Sequence, residues 1–483
     1  MSRQQHPGTA LPRCPVACRS AAAFAVALGL GAFSIGITGA SASTSGARHD
    51  GAPISERVVT MPGAVAPGPA KYNRVRVLEV GSPKAKNVLV LEPGTSAGAA
   101  YFRLVAEAIA QRLPGWQVWS IDRRENALED HSVLDAYLAG TRTQQQTFDY
   151  YLGWLSDPHR QRRFTAPTND AVAFARQWGM NVAIGDLQRV VQQAKRLRGK
   201  VVLGGHSLGG SIATAYATWD FDGRSGGDDL AGLVLIDGVS SPGVPISVDD
   251  ANTRLQQLST SSPFIDLIGL GLPWSAGVFN ALGSSAVLRA PDAPSITYGW
   301  KLFPPMLKPP VLPTNKAQYG YALDAKTGPP ALKLVQMHIG ELAPSGEPRG
   351  WHNNGITPVE RAAAAFAGIK GMDGTSWYHP QRLTLDAAAV NGGIANPADT
   401  VLDVHATHGT NLHIPIYAFA AALGNTFVLD GATALATQSK IPPSKVTLVN
   451  RADTYAHCDP LTASPNRNDF LQTVEPFLHA IAS

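Results

Sequence analysis

Val201-Val202-Leu203-Gly204-Gly205-His206-Ser207-Leu208-Gly209-Gly210-Ser211 is the stretch on which the reading of this chain turns. It opens with a short aliphatic run, the pattern of a strand buried on both faces. Small residues follow, and residues 212–219 then read as an Ala-rich helix. Inside the turn sits G-x-S-x-G, with Gly205 and Gly209 two places either side of Ser207. A serine on so sharp a strand-to-helix turn carries a strained backbone, and its neighbours at minus two and plus two must be tiny. The hydroxyl is then held at the start of a helix, where the dipole favours developing negative charge. A structural Ser-Gly turn can carry the same letters in a chain with 47 glycines. The flanking strand and helix are what favour a nucleophile.

Outward from the elbow, strands and helices alternate. Residues 87–91 predict a buried strand, 99–113 an amphipathic helix (Phe102, Val105, Ile109, Leu113), and 117–121 a further strand. Residues 71–80 alternate and predict an edge strand, while 43–70, rich in Ser, Gly and Pro, read as an exposed leader. A patterned helix at 186–197 leads into the elbow strand, and the run 232–236 is the next buried strand, ending in Asp237-Gly238. The alternation then stops. It resumes with a strand at 414–419, a helix at 433–439, a strand at 445–449 and an amphipathic helix at 469–481. Between them lie some 170 residues rich in Pro, Gly and Trp, enough for a domain in its own right. The expected fold is α/β: a mostly parallel sheet flanked by helices. Residues 43–237 and 411–483 make the core, and 238–410 an inserted, largely helical cap.

Residues 205–210 read GHSLGG, which resembles the nucleophile elbow of the α/β-hydrolase superfamily. The resemblance covers residues 71–237 and 411–483. A serine is a poor nucleophile until an imidazole takes its proton, and that imidazole needs a carboxylate to fix its tautomer. In the superfamily these follow in the order Ser, acid, His, with the histidine on the loop after the last strand. His457 stands in that place, within Tyr455-Ala456-His457-Cys458-Asp459-Pro460; its other reading is a buried structural histidine. The commonest acid position follows the strand at 414–419, but Ala420-Ala421-Ala422-Leu423-Gly424-Asn425 holds no carboxylate, and the next is Asp430. One strand earlier stands Asp237, where pancreatic-lipase-like members carry their acid. Asp237 is therefore the expected acid and Asp430 the alternative; a cap on its own turn is the structural role open to Asp237.

The superfamily's oxyanion loop usually begins with His-Gly. Here Glu92 and Pro93 replace the pair and Gly94 survives, so the N–H groups of Thr95 and Leu208 are the expected donors, with Ser96 as fallback. Caps at this position in the superfamily cover the site and shape access for apolar substrates. The resemblance implies a serine hydrolase, esterase- or lipase-like, that needs no metal or organic cofactor. A peptidase of the same fold is the nearest rival, because a cap carboxylate such as Glu341 suits a substrate amine. A binding protein with a dead triad is the rival from another class. Aspartate in place of Ser207 would have suggested a dehalogenase.

The remaining features bound the setting. Arg3, Arg13 and Arg19 precede an apolar run at 21–40 that ends in Ala40-Ser41-Ala42. This is a secretory signal over residues 1–42 by its three-part pattern, or else an uncleaved membrane anchor. Cleavage takes the formal charge from +4 to +1, since no acid leaves with the three arginines. That balance gives no reason to expect nucleic acid as a partner. Cys14 and Cys18 leave too, so only Cys458 remains and no internal disulfide forms. The expected partner is a small apolar ester. The apolar stretch 264–288 either packs the cap onto the core or touches a lipid surface transiently. The aromatic residues Phe148, Tyr150, Tyr151 and Trp154 read as core or as a wall of the substrate pocket. Beside them, the basic patch 160–163 reads as a solvated face. Arg123 and Arg124 read as structural ion pairs with Glu125 or Asp130 rather than as anion ligands. His405, His408 and His413 cluster without the carboxylate or thiolate spacing of a metal site.

Overall fold

Residues that alternate across each central strand explain the architecture. Val88 and Val90 of one strand enter one hydrophobic core, while Leu89 and Leu91 enter another on the opposite face. The computed structural model describes residues 54–483 apart from 158, 160, 162, 163 and 244. The signal or anchor at 1–42 lies outside the described residues, as do Arg160, Arg162 and Arg163 of the basic patch. Eight strands form one sheet: β1 (Glu56–Pro62), β2 (Arg74–Val80), β3 (Asn87–Glu92), β4 (Trp116–Asp122), β5 (Val201–His206), β6 (Gly232–Ile236), β7 (Ile416–Ala420) and β8 (Val446–Asn450). Their order across the sheet is β1-β2-β4-β3-β5-β6-β7-β8. β2 runs antiparallel to both its neighbours, and every pairing from β4 to β8 is parallel. Helices α2 (Met180–Lys195), α3 (Leu208–Ala217) and α8 (Phe427–Gln438) cover the Val88 face. Helices α1 (Arg103–Arg112) and α9 (Asp469–Ala482) cover the Leu89 face.

The expected α/β class is the one observed, with two local corrections. The stretch 43–70 is not all exposed leader, because Glu56–Pro62 pairs along its length with β2. β2 is consequently interior and β1 is the edge. Only Met61 of β1 is fully buried, with Val58 and Val59 half-buried against the two cores, so the strand carries a weak hydrophobic signal. Its full-length register with β2 and the Arg57–Glu79 ion pair at 2.6 Å add to that packing.

The insertion contributes α4 (Val248–Thr260), α5 (Ser275–Arg289), α6 (Asn315–Leu323) and α7 (Val359–Ala367), with shorter helices and a small hairpin between Glu341–Leu342 and Trp351–His352. Pro53–Ser483 packs as a single unit. A third, aromatic-rich core joins the insertion to the excursion before α2, through Phe148, Tyr151, Phe164, Trp274, Trp300 and Trp377. α7 packs downward, placing Phe366 against Tyr101 in the Leu89-face core. Among the described residues, no helix is long and apolar enough to cross a membrane.

Candidate active site

Ser207 stands between β5 and α3 at φ 58° and ψ −126°, a conformation that costs a non-glycine residue of order 1–3 kcal/mol. The surrounding packing imposes it. A Cβ on Gly205 would lie 2.0 Å from the Gly209 carbonyl oxygen, and one on Gly209 would lie 2.0 Å from that of Glu92. Only glycine lets the two segments pass. Ser207 is half-buried and follows directly on a strand end that is fully buried.

The other expected members come from separate strand ends. Asp237 follows β6 at φ 46° and is 2 % exposed. Its Oδ1 accepts the N–H groups of Ala421 at 2.7 Å and Gly424 at 3.1 Å, both on the loop after β7. Its Oδ2 lies 2.5 Å from Nδ1 of His457, on the loop after β8. Burial pushes the Asp237 carboxyl up. The His457 hydrogen bond and charge, with the Ala421 N–H, more than offset this and hold it below the usual carboxylate range. With Nδ1 donating to the carboxylate, Nε2 is the nitrogen left to accept a proton. Nε2 is buried and has no hydrogen-bond partner among the described residues, Ser207 Oγ included. Such contacts commonly tighten only once substrate is bound. Asp430 is exposed on the first turn of α8 and takes no part.

A strand order of 1-2-4-3-5-6-7-8, with a strained serine after the fifth strand and a histidine after the eighth, decides the architecture. The chain has the α/β-hydrolase fold. No family model and no curated protein matches it. Among solved structures, it is similar to a candidate lipase from Sulfolobus solfataricus (17% identity, 88% of this chain and 94% of that chain, TM-score 0.46). It is also similar to epoxide hydrolase A from Mycobacterium thermoresistibile (15% identity, 88% and 98%, TM-score 0.40). A thermophilic esterase from Thermogutta terrifontis gives 13% identity, 88% and 100% coverage and a TM-score of 0.37.

The loop after β3 lies against the elbow. A Cβ on Gly94 would approach Ser207 Cβ to 2.9 Å and Oγ to 3.6 Å. Of the three N–H groups considered as oxyanion donors, that of Ser96 is taken by His379 Nδ1 at 3.2 Å. The N–H groups of Thr95 and Leu208 make no hydrogen bond among the described residues. Two residues that sequence reasoning passed over knit this region together. His206 Nε2 donates to the His457 carbonyl at 2.9 Å, which leaves Nδ1 to accept the Tyr101 hydroxyl at 3.1 Å. Tyr101 in turn accepts the Gly94 N–H at 2.9 Å. Burial first, and then the neighbouring His457, pull the His206 imidazole down to about 3, so it is neutral and fixed in one tautomer. The only sequence signal for this link was a histidine next to the nucleophile.

A largely apolar pocket, about 1130 Å³ with its opening to solvent included, reaches the loops on either side of the candidate triad. Its walls include Tyr137 and Phe148 from the excursion and Leu267, Ala276, Phe279 and Tyr319 from the insertion. Ser96 brings it to the loop beside the elbow, and Leu334 brings it to the histidine loop, since the Leu334 carbonyl accepts from Cys458 Sγ at 3.4 Å. Of the four excursion aromatics, Phe148 lines the cavity. Tyr151 is core, its hydroxyl on the Asp130 carbonyl, and Tyr150 bonds the Asp130 carboxylate. Burial pushes the Cys458 thiol far above its ordinary range, as suits a small packed side chain.

Glu341 is exposed on the hairpin, bonded to Asn354 at 2.7 Å, and does not line the cavity. Arg123 pairs with Glu125 at 2.8 Å as expected, but Arg124 pairs with Asp186 at 2.6 Å rather than with Glu125 or Asp130. His405 pairs with Asp403 and His408 with Asp220, so the histidine trio does not converge. Among the described residues, only Glu129, His131 and Asp373 bring metal-ligand atoms together, all within 4.8 Å. His131 Nε2 bonds Glu129 Oε2 at 2.7 Å, and Trp377 satisfies both carboxylates through its main-chain and indole N–H groups.

Proposed function

We propose that this protein is a secreted serine hydrolase that cleaves carboxylic esters of apolar substrates through an acyl-enzyme. The reading is carried by the 2.5 Å contact of Asp237 Oδ2 with His457 Nδ1, which leaves Nε2 unpartnered in the neighbourhood of a strained serine. Ser207 Oγ attacks the ester carbonyl as His457 Nε2 takes its proton, and Asp237 stabilises the imidazolium. The C=O π-bond electrons move to oxygen, and the N–H groups of Thr95 and Leu208 receive the oxyanion. Collapse expels the alkoxide, which leaves as the alcohol with the proton from His457. Water then repeats the sequence on the acyl-serine and releases the acid. The apolar cavity beside Ser96 suits the acyl chain, since its lining carries no charged side chain. Export rests on the N-terminal pattern, Arg3 to Ala42.

Hydrolysis of p-nitrophenyl esters from acetate to palmitate by the purified protein tests the reading. Turnover that Ser207→Ala abolishes, with a preference for longer acyl chains, is the expected result. No turnover of any ester, with Ser207 still labelled by a fluorophosphonate, refutes the esterase assignment and turns the search to amides.

A further inference from the structure

We propose that Arg123 is a positioning residue for the oxyanion hole, its guanidinium turning the Gly94–Thr95 peptide so that the Thr95 N–H faces away from Arg123 and toward the nucleophile. This rests on the hydrolytic reading above. Arg123 is 5 % exposed, and both of its terminal nitrogens reach one short stretch of backbone. Nη1 donates to the Pro93 carbonyl at 2.7 Å and Nη2 to the Gly94 carbonyl at 2.9 Å. Nε donates to Glu125 at 2.8 Å, and Glu92 lies 3.3 Å from Nη1.

In a trans peptide the C=O and N–H point in opposite directions. With the Pro93 carbonyl on Arg123, the Gly94 N–H must point the other way, and there it meets the Tyr101 hydroxyl at 2.9 Å. The next peptide obeys the same rule. The Gly94 carbonyl accepts from Arg123 at 2.9 Å and from the Ala97 N–H at 3.3 Å, so the Thr95 N–H points away from both, and it has no partner among the described residues. Gly94 itself is in contact range of Ser207, as the 2.9 Å approach of a built Cβ shows. A free N–H held by its own peptide's carbonyl, one residue from that contact, is what an oxyanion donor requires.

The same geometry explains the departure at Glu92 and Pro93. A guanidinium buried this deeply needs compensating charge; Glu125 lies 2.8 Å from Nε, and Glu92 offers a second acceptor 3.3 Å from Nη1. Proline has no N–H to compete for the Pro93–Arg123 region, and its carbonyl is the acceptor used. Lysine cannot reproduce the arrangement, since an ammonium is a point charge rather than a fork spanning two carbonyls.

Arg123→Lys and Tyr101→Phe test this, because the two side chains hold the Pro93–Gly94 peptide from opposite ends and Arg123 also holds the peptide that follows it. Each is compared with the parent on p-nitrophenyl butyrate and on the thionoester with sulfur in place of the carbonyl oxygen. An oxyanion hole built for oxygen favours the oxo substrate. Arg123→Lys is expected to lower kcat on the oxo ester by about 10²–10³, the cost of one misplaced donor. KM should stay within about threefold, and the oxo-to-thiono ratio should collapse toward one. Tyr101→Phe should move the same ratio in the same direction by a smaller factor, and it decides the matter if Arg123→Lys does not fold. Equal losses on both substrates, or a raised KM with kcat unchanged, mean a merely structural role and overturn the inference. A parent with no turnover refutes instead the hydrolytic reading on which it stands.

Discussion

Replacing Asp237 by Asn exchanges one carboxylate oxygen for an amide nitrogen, and the surroundings dictate which. Oδ1 receives two backbone N–H groups, from Ala421 and Gly424, while Oδ2 receives one N–H from His457. Asparagine has a single acceptor oxygen. It must stay at the Oδ1 position, because an NH2 there would face two donors. The NH2 is therefore turned onto His457 Nδ1, which can answer only by accepting. The imidazole proton then moves to Nε2, the nitrogen that has to take a proton from Ser207. In a working Ser-His-Asp triad the change costs ~10⁴ in kcat, about 5.5 kcal/mol at 1.36 kcal/mol per tenfold. The assay is p-nitrophenyl butyrate hydrolysis, with circular dichroism to show that the fold survives, as it should with every hydrogen-bond position still filled. Asp430→Asn, exposed on α8, should stay within about twofold of the parent, as surface changes usually do. Asp237 is not the acid if Asp237→Asn keeps activity within about tenfold of the parent, or if Asp430→Asn is hit as hard.

Three further outcomes follow from the same geometry. Ser207→Gly relieves a strain of roughly 1–3 kcal/mol against a glycine entropy cost of about 0.5–1 kcal/mol, so it should raise the unfolding free energy while abolishing turnover; a destabilised variant in denaturant titration contradicts this. Ala276→Phe intrudes on the cavity, and each methylene it excludes should cost about 0.8 kcal/mol, roughly fourfold in kcat/KM on long acyl chains, while acetate is spared; uniform losses across chain lengths contradict it. Burial, offset in part by Arg123, pushes the Glu92 carboxyl from 4.5 up to about 7. A carboxyl raised in the folded state contributes stability that is complete below pH 4.5 and is lost as pH rises through 7. Glu92→Gln should flatten that descent in unfolding free energy, and an identical slope refutes the assignment.

The parallel strands were legible because burial on both faces leaves unbroken aliphatic runs, as at Val201-Val202-Leu203 and Leu233-Val234-Leu235-Ile236. β1 was not, since an edge strand with one buried residue has no such run. α2 begins at Met180 and α8 at Phe427, each ahead of the expected start, and neither has a side-chain cap to mark it. In the candidate site, the places of Ser207, Asp237 and His457 at strand ends were legible because each follows a strand that is itself legible. The contacts that orient the oxyanion loop were not. Arg124 was matched to carboxylates near it in sequence, yet its partner Asp186 is 62 residues away. Arg123 reaches two carbonyls besides its carboxylates, and a carbonyl has no letter in a sequence. Ser96 gives its N–H to His379 across 283 residues of chain, a pairing that only tertiary packing creates.

The loop after β7 supplies no side chain to the candidate triad, yet it receives the acid. Its Ala421 and Gly424 N–H groups solvate Asp237 in place of water, and a Cβ at Gly424 would stand 2.7 Å from the Asp237 Oδ1. Sequence drift in Ala420-Ala421-Ala422-Leu423-Gly424-Asn425 is therefore not free, bland as its letters are. A one-residue insertion there, or any side chain in place of Gly424, would displace a buried anion rather than a surface turn. In a directed-evolution library this loop should behave like catalytic machinery, intolerant of change. A survey restricted to titratable side chains would leave it off the map.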